Sequence, residues 1–206
     1  MEQFSFVFTI FFMLLGPVKL IPAFAAVTRG QDEAFARSTA VRATLVASAI
    51  VAFLVLAGGK LVGNYHISID ALRIGGGLVL LIAALQTIFP RPQAEAKSEQ
   101  ASPAPLQLAI APLATPIIIP PAGVAAVLIF TMLAAEYPGM LQAVAIALAI
   151  IMVLNFIVMY FNRAIMKIPG LLMVLQVLGA VLIFMQVALS VETMLAALRH
   201  MGAIPQ

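Results

Sequence analysis

Long apolar runs separated by short polar stretches dominate this sequence. Six runs reach the roughly 20 residues that an α-helix needs to cross about 30 Å of hydrocarbon. None alternates apolar and polar residues with a period of two, as the strands of a membrane β-barrel do. The runs lie at about 4–27, 41–62, 68–89, 106–135, 140–161 and 171–195, and we number them spans one to six. We predict an all-α membrane protein with six transmembrane helices.

Composition supports lipid as the main solvent of the chain. Hydrophobic residues make up 64% of the 206 positions and charged residues only 9%, whereas a typical soluble domain is about 25% charged. The net charge is +3, but the basic residues stand singly between apolar runs, so we expect no nucleic-acid partner. Cysteine is absent, which excludes thiol catalysis, disulfides and thiolate metal sites. The two separated histidines suggest no metal site.

The distribution of basic residues predicts the orientation of the chain. Cytoplasmic loops are enriched in lysine and arginine, and the loops after spans one, three and five carry more of them than the opposite side. Both termini are therefore predicted to lie outside the cytoplasm. Segment 31–42 is predicted to form a short surface helix before span two. The seven residues on the predicted cytoplasmic side are Arg29, Arg37, Arg42, Arg91, Lys97, Arg163 and Lys167, against Lys60, Arg73 and Arg199 on the other.

A polar segment separates spans three and four. It reads PRPQAEAKSEQASPAP, occupies residues 90–105 and contains four prolines, a composition typical of a flexible linker. On the predicted orientation this linker is cytoplasmic. It divides the chain into residues 1–89 and 106–206, each with three spans. Because three is odd, the two halves would enter the membrane in opposite senses, which is the arrangement of an inverted repeat.

Two matching motifs support such an internal repeat. GPVKLIPAF in span one and TPIIIPPAG in span four both contain a proline, four residues, then proline and alanine. This match pairs Pro17 with Pro116 and Pro22 with Pro121, each pair 99 residues apart. IGGGLVLLI in span three resembles VLGAVLIFM in span six at a spacing of 103 residues. We predict two inverted three-helix repeats.

Spans one and four are predicted to be discontinuous. All six prolines within spans lie in these two: Pro17, Pro22, Pro112, Pro116, Pro120 and Pro121. A proline inside a helix removes a donor and clashes with the carbonyl group four residues earlier, at about 3 kcal/mol or more. Backbone groups freed at membrane depth persist only where they are buried in protein or line a wet cavity. Half-helix N-termini then suit anionic groups, and half-helix carbonyl groups suit a cation or an ammonium. We predict a solute or ion site there; plain kinks are the alternative.

Lys19 lies near the middle of span one, where a charge costs about 2.5–3.5 kcal/mol even on the gentler insertion scales. The acidic residues Asp70, Glu136 and Glu192 lie near span ends, so no acidic partner is expected at that depth. Lys19 could place its ammonium among the freed carbonyl groups of span four, bind a substrate carboxylate, or release its proton. The alternative is that it snorkels from an asymmetrically placed span.

Other polar residues at depth are amides. Gln86, Asn155, Gln176 and Gln186 suit interhelical hydrogen bonds, and Asn155 is the best candidate among them to line a site. The sequence contains no HExxH, GxSxG, paired intramembrane carboxylates or phosphate-cradling loop, so we expect neither an enzyme nor a cofactor. The predicted binding residues are Gly16, Pro17, Lys19, Pro22, Thr115, Pro116, Pro120, Pro121 and Asn155.

The chain resembles the MarC family, which includes small neutral amino acid transporters and is grouped with the lysine exporter superfamily. The resemblance rests on GPVKLIPAFAAVT, ISIDALRIGGGLVLLIAALQ, PLATPIIIPPAG and the final helix around Gly179, and it runs over nearly the whole length. The second segment is the closest to the family pattern. In the broken spans the family's Asn-Pro becomes GP at 16–17, Lys19 replaces a glycine, and PPA at 120–122 replaces Gly-Pro-Gly.

The resemblance implies a secondary transporter of a small solute, such as glycine or alanine, in the inner membrane of a bacterial cell. It would work by alternating access around the axis between the two halves. Two alternatives stay open: a channel or passive pore, and a structural or assembly protein without a solute. The expected partners are the lipid bilayer and a small-molecule substrate. The sequence leaves open whether a proton or cation is coupled and whether the chain forms a homo-oligomer.

Overall fold

The computed structural model describes residues 2–64, 67–89, 109–134 and 137–205. Every regular element in these ranges is helical, which confirms the all-α prediction. All are α-helices except α5, which is π-helical. The predicted linker at 90–105 lies outside the described residues. The helices are α1 (Glu2–Leu15), α2 (Pro17–Val27), α3 (Glu33–Asn64), α4 (Ile69–Ile88), α5 (Ala109–Ile118), α6 (Pro121–Leu133), α7 (Met140–Tyr160), α8 (Asn162–Met166) and α9 (Leu171–His200).

Five segments of the described chain are long and apolar enough to cross a membrane. They are Gln3–Val27, Glu33–Lys60, Ile69–Gln86, Met140–Tyr160 and Met173–His200, and they correspond to predicted spans one, two, three, five and six. Span four is not among them, and its described residues form the 10-residue α5 and the 13-residue α6. The prediction of long apolar spans is therefore confirmed for five of the six.

The predicted surface helix at 31–42 is not a separate element. Asp32 starts α3 by accepting a hydrogen bond from the Phe35 N–H on Oδ1 (2.6 Å), and the helix then runs unbroken for 32 residues. At about 1.5 Å per residue, α3 is longer than the hydrocarbon layer is thick, so it extends beyond the membrane. The prediction is wrong because residues 33–42 contain no glycine or proline that would end a helix.

Each broken span packs against a long helix of the other half of the chain. α1 and α2 contact α7, while α5 and α6 contact α3. α3 also packs against α7, and α4 packs against α9. The core between these helices is aliphatic and aromatic, and its fully buried side chains include Phe11, Phe24, Leu113, Leu148 and Ile151. The broken spans therefore lie in the interior of the bundle.

Two glycines let α4 approach its neighbours closely. A Cβ atom at Gly76 would lie 2.9 Å from Ile129 Cδ1 of α6, and one at Gly77 would lie 2.6 Å from Met194 Cγ of α9. Small residues allow such close packing between membrane helices. The outer surface of the bundle is apolar as well, with side chains such as Phe184 of α9 75% exposed. This surface suits lipid rather than water.

Candidate site at the two helix breaks

Span one breaks between Leu15 and Pro17. Gly16 has an extended backbone (φ −72°, ψ 168°), and Pro17 is the first helical residue of α2. Proline suits this position because its φ matches a helix and its missing N–H would have no intrahelical acceptor there. Glycine is required at position 16, since a Cβ atom would lie 1.9 Å from the Phe12 carbonyl oxygen. The dipeptide therefore ends one half-helix and begins the next.

The first break leaves polar backbone groups on both of its sides. The end of α1 has carbonyl groups without intrahelical donors, and the first turn of α2 has N–H groups without intrahelical acceptors. No side chain caps the N-terminus of α2 in the described part of the chain. This terminus carries a partial positive charge of roughly half a unit, which suits an anionic group.

Asn155 of α7 satisfies one of the freed carbonyl groups. Its Nδ2 donates a hydrogen bond to the Leu15 carbonyl oxygen (2.8 Å). The Asn155 side chain is only 1% exposed, and among the described residues its Oδ1 has no hydrogen-bond partner. A buried acceptor left unpaired costs about 1–3 kcal/mol. The Asn155 Oδ1 is therefore well suited to accept a hydrogen bond from an ammonium or hydroxyl group.

Lys19, in the first turn of α2, belongs to a chain of polar contacts between three helices. Its Nζ donates to Oε1 of Gln186 in α9 (3.0 Å). Gln186 is buried, and its Nε2 donates to the Leu80 carbonyl oxygen in α4 (3.1 Å). Within the described ranges no acidic side chain forms an ion pair with Lys19. The observed partner is a neutral amide in span six, not a carbonyl group of span four.

Span four breaks immediately before α6, with the same backbone conformation. Pro120 has φ −69° and ψ 157°, close to the values of Gly16, and Pro121 is the first helical residue of α6. The N–H groups of Gly123 and Val124 both donate to the Pro120 carbonyl oxygen (2.8 and 3.1 Å). The first turn of α6 is thus closed by its own backbone.

The segment before the second break is π-helical, which sequence reasoning misses. Prolines recur every four residues there, at Pro112, Pro116 and Pro120. In an α-helix a proline ring clashes with the carbonyl group four residues earlier, and a wider turn relieves that clash. The Ile119 N–H accordingly donates five residues back, to the Ala114 carbonyl oxygen (3.0 Å). π-helical turns are rare in proteins, and those that occur often lie at functional sites.

The two breaks are in direct contact. A Cβ atom at Gly123, in the first turn of α6, would lie 2.5 Å from Leu15 Cδ2 and 3.5 Å from Pro120 Cδ. The last residue before the first break therefore packs onto the first turn after the second break. We call this contact between the two breaks the junction. Leu15, before the first break, is 2% exposed and Ile119, before the second break, is 3% exposed, so the junction is closed.

The breaks pair in a different register from the one that the proline motif suggests. Pro17 and Pro121 occupy the same position in their helices and are 104 residues apart (121 − 17), whereas the motif predicts 99. The new spacing agrees closely with the 103 residues that separate the glycine motifs of spans three and six. The same shift of 104 relates residues on the facing sides of α3 and α7, for example Ser48 and Met152.

The structure brings only part of the predicted site together. Pro22 is an exposed residue inside α2, and Thr115 is an exposed residue of α5. Pro116 lies in the same π-helix. Pro22 and Thr115 are not among the residues that form the junction. The predicted residues at or beside the junction are Gly16, Pro17, Lys19, Pro120, Pro121 and Asn155.

Two amides near the first break form hydrogen bonds between helices. Gln186 joins helices as predicted, but the sequence does not indicate that its partner is Lys19. Asn162 of α8 is buried, and its Nδ2 donates to the Ile21 carbonyl oxygen of α2 (2.9 Å). The signal for Gln186 is an amide in the middle of an apolar span. Asn162 follows span five directly and offers no such signal.

The long apolar helices, the apolar outer surface and the buried polar groups at two broken spans define an integral membrane protein. Residues 1–201 match the MarC family, described as MarC family integral membrane protein. The chain belongs to this family, which confirms the resemblance that its motifs predict.

Similar proteins occur in bacteria and archaea. The chain is 28% identical over 121 residues to a UPF0056 membrane protein of Archaeoglobus fulgidus, covering 58% of this chain and 57% of that one. It is 23% identical over 158 residues to the UPF0056 inner membrane protein YhgN of Escherichia coli, covering 77% of each. A UPF0056 membrane protein of Pyrococcus horikoshii is 33% identical over 134 residues, with 64% and 63% covered. No solved structure matches the chain.

Proposed function

We propose that this protein is a secondary transporter of a small solute and that the junction between the two helix breaks is its binding site. The observation that carries the proposal is the junction itself. Leu15 packs onto Gly123 there, and Asn155 holds the freed Leu15 carbonyl while keeping an unpaired buried acceptor. By family resemblance the solute is a neutral amino acid such as glycine or alanine.

The two charges of an amino acid match the polar groups on the two sides of the first break. The N-terminus of α2 offers N–H groups and partial positive charge to a carboxylate. Lys19 lies in the first turn of α2, and its ammonium donates to Gln186 of α9. The Asn155 Oδ1 and the carbonyl groups at the end of α1 suit an ammonium.

An inverted repeat explains how such a site would alternate. In such a repeat α1 and α2 correspond to α5 and α6, α3 corresponds to α7, and α4 corresponds to α9. The contacts of α1 and α2 with α7 then correspond to the contacts of α5 and α6 with α3. The contacts of α3 with α7 and of α4 with α9 convert into themselves. We assign residues 1–89 and 106–206 to the two repeats. Transport would then proceed by rocking of one half against the other around the junction.

The closed state of the junction favours alternating access over a passive pore. Leu15, Gly16 and Ile119 are buried, so a solute reaches the freed backbone groups only when packed helices separate. A pore would instead require a continuous wet path past the breaks.

Transport assays in proteoliposomes test this function. We expect saturable counterflow of labelled glycine or alanine by the wild type and at least a tenfold loss in Lys19→Ala, because the substitution removes the charge beside the α2 N-terminus. Lys60→Ala is the matched control, since Lys60 is an exposed residue at the far end of α3. Full activity of Lys19→Ala would remove Lys19 from the mechanism. Unitary currents would favour the pore, and thermal stability indifferent to every amino acid and ion tried would favour a structural role.

We further propose that the chain lies in the inner membrane with both termini on the non-cytoplasmic side. The absence of cysteine allows single-cysteine labelling without background. Ala164 of α8 and Ala203 after α9 are both exposed. In spheroplasts we expect an impermeant thiol reagent to label Ala203→Cys, and to label Ala164→Cys only after lysis. The reverse pattern would contradict the orientation.

A further inference from the structure

A cavity of about 530 Å³ lies away from the helix breaks, where the end of α2, the start of α3 and α8 meet. Three of its lining residues are basic: Arg29 follows α2, Arg163 lies in α8, and Lys167 follows α8. Segments more than 130 residues apart in the chain therefore bring their positive charges to one cavity. The volume is that of a small-ligand site.

Neighbouring side chains leave most of this positive charge uncompensated. Glu33 also lines the cavity, but its carboxylate forms an ion pair with Arg37. Among the residues that the structure describes, none of the three basic side chains takes part in an ion pair. The Arg163 guanidinium donates through Nη2 to the Gln31 carbonyl oxygen. This bond holds the arginine at the cavity and leaves its other N–H groups for a ligand.

We infer that this cavity binds a phosphate group. Arginine offers a planar fork that matches phosphate oxygens, and lysine adds a mobile point charge. On the proposed orientation the cavity opens at the cytoplasmic boundary of the membrane, where basic pockets between helices take phospholipid headgroups. The topology rule explains why basic residues are numerous on this side, but it does not require three of them to converge on one cavity.

The phosphate group could belong to an anionic phospholipid or to a free anion, and the binding experiment separates these sources. The full-length protein in a neutral detergent is titrated with phosphatidylglycerol, phosphatidylcholine or inorganic phosphate, and binding is measured by native mass spectrometry. We expect phosphatidylglycerol to bind more tightly than phosphatidylcholine. Each cavity charge that is removed should weaken this binding about fivefold. That factor corresponds to the attraction of one basic residue to an anionic lipid surface.

The test variant is Arg163→Gln with Lys167→Gln. The matched control is Arg42→Gln with Lys60→Gln, which removes the same charge from two exposed residues outside the cavity. Arg29→Gln repeats the test should the double variant fail to fold. We expect the control to bind phosphatidylglycerol within twofold of the wild type.

The outcomes decide both the site and the source of the phosphate. Cavity-dependent binding of phosphatidylglycerol assigns the site to a lipid, whereas cavity-dependent binding of inorganic phosphate alone assigns it to a free anion. Equal binding of phosphatidylglycerol and phosphatidylcholine without any phosphate binding would overturn the inference, as would an equal loss in the control variant. The result does not depend on whether the junction transports a solute.

Discussion

The two helix breaks have nearly the same backbone conformation but different polar surroundings. Gly16 and Pro120 share nearly the same φ and ψ, and each is followed by a proline that begins a helix. Their neighbours differ, because the first break follows an ordinary α-helix and the second follows a π-helix. The breaks are thus two solutions to one conformational problem.

The difference in side chains points to a division of roles. Asn155 bonds to the carbonyl group at the first break, and Lys19 lies in the turn that follows. With the spacing of 104 residues, Asn155 corresponds to Val51 and Lys19 corresponds to Gly123 at the second break. The second break therefore offers a close-packed apolar surface, while the first carries the polar groups. A backbone conformation that occurs twice therefore need not have the same chemistry at both places. For the transporter that we propose, this difference predicts that the solute binds mainly at the first break.

The largest effect is expected from Gly16→Ala. Its Cβ atom would lie 1.9 Å from the Phe12 carbonyl oxygen, so the backbone of the first break must move. We expect a loss of about 3 kcal/mol in stability, or roughly 6–12 °C in the melting temperature, measured by circular dichroism in detergent. Gly59→Ala is the control, since a Cβ atom there would meet its nearest neighbour at 3.9 Å. Similar melting of the two variants would refute the geometry of the break.

Asn155→Val would make the first break resemble the second. The substitution leaves the Leu15 carbonyl group buried without its donor, which costs about 1–3 kcal/mol and lowers the melting temperature by roughly 2–12 °C. Gln142→Val, on an exposed face of the same helix, should change stability by less than about 0.5 kcal/mol. If both variants melt together, the hydrogen bond from Asn155 does not stabilise the break.

Gly123→Ala tests whether the two breaks touch. The added methyl group meets the end of the Leu15 side chain, which can shift, so we expect a loss of only about 1–2 kcal/mol. Gly179→Ala should cost less, because no heavy atom lies within 4 Å of a Cβ atom there. Combining Gly123→Ala with Leu15→Ala should show a coupling of at least about 0.5 kcal/mol. Strict additivity would mean that the breaks are not in contact.

Much of the fold could be predicted from the sequence. Five long spans follow from apolar runs of sufficient length, and the clustered prolines mark the two spans that break. Which proline begins a half-helix could not be predicted, since Pro22 lies inside α2 without ending it. The pairing of Pro17 with Pro121 could not be predicted, because motif matching aligns prolines whereas the structure aligns helix starts. The first proline of each motif has a different role: Pro17 begins α2, while Pro116 lies inside a π-helix.

The candidate site was predictable only in part. Lys19 and Asn155 are recognisable as polar residues at depth, but their partners are not. Lys19 bonds to a residue 167 positions away, and Asn155 bonds to one 140 positions away. No local pattern contains such pairings, since they depend on which helix faces which.

By itself, the sequence determines that this chain enters the membrane as helices and that two of its spans break. Both properties are local: hydrophobic length sets the spans, and the covalent structure of proline removes hydrogen bonds wherever it occurs. Only the tertiary structure decides that the breaks meet, that one of them collects the amide and the ammonium, and that Arg29, Arg163 and Lys167 converge on one cavity. Those outcomes depend on packing between distant helices, where side-chain shape and the need to satisfy buried polar groups select one arrangement.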